Sequence, residues 1–332
     1  MFITRNLKTD NLFHWLSKYV IWLIIYNSIV AIAYGFLHMN ISLPWLPISV
    51  VGTAVAFFIG FKNNQAYDRL WEARKIWGGI VNDSRTWGMR INNLVNPEKE
   101  KKELIYRHIA WMYAHRIQLL KPTSWEQISD SGHVGMNATR FRKLFGLGNM
   151  PEDVTFEDLQ KYLSVDEFNY LKTVSNPATQ ILNKQSAEIK RLKDEGIIDQ
   201  FEHLQLEELL RSFFTLQGQN ERIKKFPFPR DYSTMSRLFV YAFISLLPFS
   251  IIPELMNHGY WTIWVSVPVA VLIGMFYIIM EDIGDYNENP YMETPHATPM
   301  LSISRTIEID LREMLKEDNI PAPIDSVNGI LM

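Results

Sequence analysis

The chain has 332 residues, no cysteine, a formal net charge of -3 and a mean hydropathy of -0.07. The lack of cysteine excludes a disulfide framework and thiolate metal ligands, and no nucleic-acid partner is expected at this charge balance. The averages hide an uneven distribution: residues 19–61 contain no Asp, Glu, Lys or Arg, and residues 238–280 contain only Glu254.

Residues 1–18 read as a polar, amphipathic leader. Residues 19–61 then carry YVIWLIIYNSIVAIAYGFLHM (19–39) and LPWLPISVVGTAVAFFIGF (43–61). Each is close to the roughly 20 apolar residues that cross a bilayer core. Residues 62–237 are charged and helical in pattern. Asp68 to Arg90 is amphipathic, with Leu70, Trp71, Ile76, Trp77, Ile80 and Val81 at three- and four-residue spacing. Lys99 to Leu120 is the next helix, residues 122–156 read as loop, and helical patterning resumes at Asp158–Leu171, Thr179–Glu195 and Ile197–Glu221. Phe226-Pro-Phe-Pro-Arg230 is a stiff entry to a second apolar pair at 238–280, which divides at Asn257–Tyr260. Residues 281–332 form a polar C-terminal segment.

Two apolar hairpins around a charged insert predict an all-α polytopic membrane protein with four transmembrane helices and a large helical cytosolic region. All 33 Lys and Arg lie outside the spans and their short turns, and Lys18, Lys62, Arg69, Arg74, Arg230 and Arg237 sit close to span ends. The positive-inside rule therefore places both termini and the insert in the cytoplasm. Trp15, Trp22, Trp45, Tyr260, Trp261 and Trp264 fall near the expected interfaces.

Nothing in the insert has the spacing of an enzyme: there is no phosphate-binding loop, dinucleotide fingerprint, zinc-protease helix or nucleophile elbow. His108 and His115 share a helix face two turns apart, which fits a metal pair or, more plainly, two polar edge residues. His133 lies in a Gly-Ser loop without partners. No catalysis, cofactor or metal is expected.

The string FKNNQAYDRLWEARKIWG (61–78) resembles the bacterial bestrophin signature F-R-x-N-x-x-Y-D-R-W-W-E-x-R-x-x-W-G. LPISVVGTA (46–54) resembles the pore-helix segment of that family, and SRTIEIDLREML (304–315) resembles its C-terminal helix. The resemblance implies a homopentameric ion channel with one central pore in a bacterial inner membrane, its partners being copies of itself, monovalent inorganic ions and the lipid bilayer. It places an apolar neck at Leu46, Val50 and Ala54, positions that drift only about 40° per step around a helix. It places a cytosolic aperture at Leu204, or one turn earlier at Phe201. Tyr67, Asp68, Arg69, Trp71, Glu72 and Arg74 become a subunit-interface motif.

The family's animal members carry a calcium-clasping acidic run after the last span. Here that stretch reads Glu288-Asn-Pro-Tyr-Met-Glu293, so calcium activation is not expected. Glu254, Glu281, Asp282 and Asp285 remain as cation-attracting carboxylates or a solvated span end. The bacterial form of the motif favours cations, and a chloride channel or a membrane-anchored scaffold without transport are the alternatives. A coupled transporter would need an inverted repeat of broken helices, which is not seen.

Overall fold

The computed structural model describes residues 1, 3, 9–38, 41–125, 153–292 and 294–332, leaving aside the side chains of 9–15. Most of the leader, residues 126–152 of the expected loop (His133 among them), and Glu293 lie outside the described residues. Those described contain ten α-helices and one isolated β-bridge, Val327 to Ile330. The chain divides into two compact units.

The apolar unit comprises Thr4–Arg69 and Pro227–Asn289. Its helices are α1 (Thr9–Phe36), the first half of α2 (Trp45–Leu94), α7 (Arg230–Leu246), α8 (Pro248–Met256) and α9 (Ile263–Asn287). Four stretches are long and apolar enough to cross a membrane: Leu16–Phe36, Trp45–Leu94, Arg230–Met256 and Tyr260–Asn287. The third apolar stretch is broken at Leu247. Pro248 has no N–H to continue the α7 ladder and instead takes the first position of α8, where its missing donor costs nothing. Leu23 of α1, Val240, Phe243 and Ile244 of α7, Leu247, Ile251 of α8 and Ile278 of α9 form one buried cluster with Ile48, Val55 and Ile59 of α2. Small residues permit the close approaches. A Cβ on Gly52 would stand 2.7 Å from the Phe243 ring, and Tyr277 donates a 3.0 Å hydrogen bond to the Gly52 carbonyl beside it.

The polar unit comprises Met1–Ile3, Leu70–Phe226 and Pro290–Met332. It holds the second half of α2, α3 (Glu98–Leu120), α4 (Val165–Leu171), α5 (Pro177–Asp194), α6 (Gln200–Lys225) and α10 (Met300–Met314). Starts are set by local chemistry. Ser164 caps α4 and separates it from a short 3-10 turn at Glu157–Lys161, so the expected helix over 158–171 is two pieces. Asn176 caps α5 ahead of Pro177, and Asp199 with Glu202 forms a capping box on α6. α3 is the central element, packed by α5, α6 and α10. Its polar residues are buried because each has a partner: Arg107 donates to Glu167 at 3.0 Å and Gln185 at 3.2 Å, and Tyr113 donates to Glu308 of α10 at 2.7 Å.

The second span and the amphipathic Asp68–Arg90 helix, expected as separate elements, form the single 50-residue helix α2. Its buried positions 48, 52, 55, 59, 62, 66, 70, 73, 77 and 80 keep one helical phase throughout. The charges at Lys62 and Asp68 end the hydropathy run without ending the helix.

Candidate functional site

Among the described residues, the face of α2 opposite the core is apolar and exposed. Leu46 is 73% exposed and Val50 62%, and Ala54, Phe57 and Phe61 continue the stripe, whereas Ile48 on the packed face is only 6% exposed. Ser49 and Thr53 donate back to the carbonyls of Leu46 and Ser49, at 2.8 and 2.9 Å, so their hydroxyls add no free polar group. Between Trp45 and Arg69 the helix carries two charges short of Arg69 itself. Lys62 is buried and Asp68 is exposed.

Lys62 is the centre of a buried charge cluster that joins α2 to the end of α9. Its ammonium lies 2.5 Å from Glu281 and 2.6 Å from Asp285. Ser236 donates to the other Glu281 oxygen at 2.5 Å, Arg237 pairs with the other Asp285 oxygen at 2.5 Å, and Asn63 donates to the Met280 carbonyl at 2.9 Å. One turn on, Arg230 pairs with Glu288 at 3.2 Å and Arg69 donates to the Glu288 carbonyl at 3.1 Å. Burial, opposed by Arg230, raises the Glu288 carboxyl above the usual range. Glu281, Asp282 and Asp285 are therefore buried rather than set at a solvated span end. Cations on α2 and α7 pair with two of them, and α9 continues to Asn287 rather than stopping near Met280. Glu254, on α8, is exposed. Lys62, Ser236 and Arg237 were not singled out for this role from sequence, since their partners are distant along the chain. The available signal was that Lys62 keeps the phase of the packed face of α2.

The other expected residues are placed as follows. Leu204 and Phe201 lie on an exposed face at the start of α6, 55% and 74% exposed. Tyr67, Asp68 and Trp71 are exposed on α2, Arg69, Glu72 and Arg74 are half-buried, and Glu72 pairs with Arg222 of α6. Leu46, Val50 and Ala54 belong to the apolar unit, Leu204 and Phe201 to the polar one.

The sequence profile of the family described as Bacterial/Fungal Bestrophin protein matches residues 8–313. The chain belongs to this family. It is similar to the voltage-dependent anion channel-forming protein YneE of Escherichia coli (strain K12), 25% identical over 326 residues, covering 94% of this chain and 95% of that protein. It is 26% identical over 308 residues to the voltage-dependent anion channel-forming protein RSc3414 of Ralstonia nicotianae, covering 90% and 87%. The solved structure of a bacterial bestrophin homolog from Klebsiella pneumoniae shares its fold, with a TM-score of 0.75 and 21% identity over 91% of this chain and 98% of that one. The four apolar helices of this bestrophin are thus those of a membrane protein.

The two histidines of α3 are neither edge residues nor neighbours around a metal. Both are fully buried, and aromatic rings separate them: His115 stacks between Trp77 and Trp111, while His108 lies against Trp87, Trp111 and Phe213. Burial lowers His108 to about 3 and, despite the nearby Glu221 carboxylate, His115 to about 4. Both are neutral when folded and near 6.5 when unfolded, so the unfolded chain takes up protons first as pH falls. The contribution of these two histidines to the stability of the polar unit is predicted to be level above about pH 7 and to decline below about pH 6.5. The expected loss is about 2 kcal/mol per histidine by pH 5, read from denaturation midpoints across that range. A flat profile would contradict the buried neutral assignment.

An open groove of about 520 Å³ in the polar unit is lined by Lys99, Lys102, Arg107 and Lys161. Each already faces a carboxylate (Glu103, Glu317, Glu167 and Asp158), so the groove offers an anion no free cation.

Proposed function

We propose that this bestrophin assembles as a homopentamer in the bacterial inner membrane, with its termini in the cytoplasm. Monovalent ions, cations favoured, pass through one central pore. The observation that carries this reading is the exposed apolar stripe of α2 at Leu46, Val50 and Ala54, opposite a packed face that includes Ile48. Repeated around a five-fold axis, such a stripe makes apolar rings that control ions through their hydration. Leu204, with Phe201 a turn earlier, suits a second apolar ring, and Tyr67 to Arg74 suit contacts between neighbouring subunits. The stripe is exposed on a single chain and closes into rings only when repeated around an axis, so the reading requires an oligomer. Native mass spectrometry in detergent should give a pentamer, and monomers or dimers alone would defeat it.

The cation preference rests on charge placement. Lys62, the cation nearest the inner end of the stripe, is compensated by Glu281 and Asp285, while the exposed charge that follows on α2 is Asp68. The net charge of -3 per subunit acts in the same direction. Anion conduction is the second reading, favoured by the names of the Escherichia coli and Ralstonia relatives. Liposome flux from purified protein under separate sodium, potassium and chloride gradients decides between them. Faster sodium and potassium flux is expected, and flux confined to chloride would replace the first reading with the second.

Calcium is not expected to gate the pore. Glu281 and Asp285 already hold an ammonium and a guanidinium, which leaves little acidic capacity for a divalent ion. Micromolar calcium should leave single-channel conductance and open probability unchanged in planar bilayers. A steep rise in open probability would show a clasp built from these carboxylates.

A further inference from the structure

The open face of α2 does not end with the small side chain of Ala54. At about 100° per residue, the buried positions Ile48, Gly52, Val55, Ile59 and Lys62 centre about 200° around the helix from Leu46. The direction opposite to them lies about 20° from Leu46, and Phe57 falls on it. Val50 is about 20° away from Phe57 around the helix, Phe61 about 40° and Ala54 about 60°. Phe57 thus points most directly away from the packed face, and it is 66% exposed. No proline interrupts α2 after Pro47, so this phase runs on without a kink.

Side-chain size follows the same order. Along the stripe the groups shrink from Leu46 through Val50 to Ala54, then enlarge to the rings of Phe57 and Phe61. The neighbouring Phe58 is disposed differently. Its ring stacks on Tyr232 of α7 with centroids 4.2 Å apart and meets Phe239 edge-on at 5.8 Å. Two consecutive phenylalanines are divided between the packing and the open face.

We propose that Phe57, rather than Val50 or Ala54, forms the narrowest ring of the ion path and sets the largest ion that passes. The inference rests on the reading that the α2 stripe lines a pore around an axis. Under that reading, the residue aimed most directly at the axis also carries one of the longest side chains on the stripe. Five such rings close the path further than five alanines can, and Phe61 adds a second aromatic ring one turn on. Leu46 and Val50 then act on the hydration of an entering ion, and Phe57 on its size.

The test is the permeability ratio of a large to a small ion, taken from bi-ionic reversal potentials of the purified channel in planar bilayers. Tetraethylammonium against potassium and gluconate against chloride cover both signs of permeant ion. For the conducted sign, Phe57→Ala should raise the ratio about tenfold, and Phe57→Leu should fall between it and the wild type. Val50→Ala should raise conductance without admitting the larger ion. Phe58→Ala should lower thermal stability and leave the ratio as it is. The proposal is overturned if both Phe57 variants keep the wild-type ratio, or if Val50→Ala raises it as far as Phe57→Ala does. Block of a Val50→Cys channel by a charged thiol reagent, together with an unchanged ratio in the Phe57 variants, refutes this inference alone. A Val50→Cys current indifferent to the reagent overturns the pore reading and this inference with it.

Discussion

Val50→Ser and Leu46→Ala are expected to raise single-channel conductance or open probability several-fold, while Ile48→Ala is expected to lower stability with little change in flux. The three residues lie within five positions of one helix, yet two point away from the packed face and one into it. In an apolar ring, the barrier to an ion is the free energy of thinning its hydration shell. A smaller or polar side chain lowers that barrier at five equivalent places at once. Ile48 instead belongs to the buried cluster that also holds Val55 and Phe243, and its truncation leaves a cavity costing roughly 2–4 kcal/mol. Ala54→Phe, by the same argument, should narrow the path and reduce current. Should Val50→Ser and Ile48→Ala prove alike in conductance, the pore-facing register is better rebuilt on Thr53 and Phe57, which are also exposed.

The second large effect is expected at Lys62. Lys62→Met removes the ammonium shared by two buried carboxylates. Asp285 keeps Arg237, but Glu281 is left with the hydroxyl of Ser236 alone. Stripping one partner from a buried pair costs about 3–5 kcal/mol, because the remaining charge stays out of water. Thermal stability in detergent should therefore fall sharply in Lys62→Met and recover in part in Lys62→Met with Glu281→Gln, since a glutamine still accepts from Ser236. Wild-type stability in the single variant, or no recovery in the double, would contradict the cluster. A change in ion preference without loss of stability would instead place Lys62 in the ion path.

Much of this was legible in the sequence. The uncharged run 19–61 and the near-uncharged run 238–280 announce four apolar helices, and the motif at 61–78 carries the family. The stripe at Leu46, Val50 and Ala54 comes from the family resemblance of residues 46–54, and helical phase is consistent with its lying on one face. What escaped depended on partners remote along the chain. Lys62 reads as the end of a span until Glu281 and Asp285 are seen beside it. The carboxylates after Met280 read as solvated for the same reason. His108 and His115 read as edge residues because the rings that enclose them (Trp77, Trp87 and Phe213) come from α2 and α6. The continuity of α2 was concealed by hydropathy, which changes at Lys62 although the packing phase does not.

The most direct measurement of the central claim, that the α2 stripe lines an ion path, exploits the absence of cysteine from the chain. Val50→Cys and Ile48→Cys can each be introduced singly and exposed to a charged, water-soluble thiol reagent during recording in planar bilayers. Modification should block or sharply reduce the current of Val50→Cys and leave that of Ile48→Cys unchanged. Current in Val50→Cys that is indifferent to the reagent, or lost only in Ile48→Cys, would contradict the account.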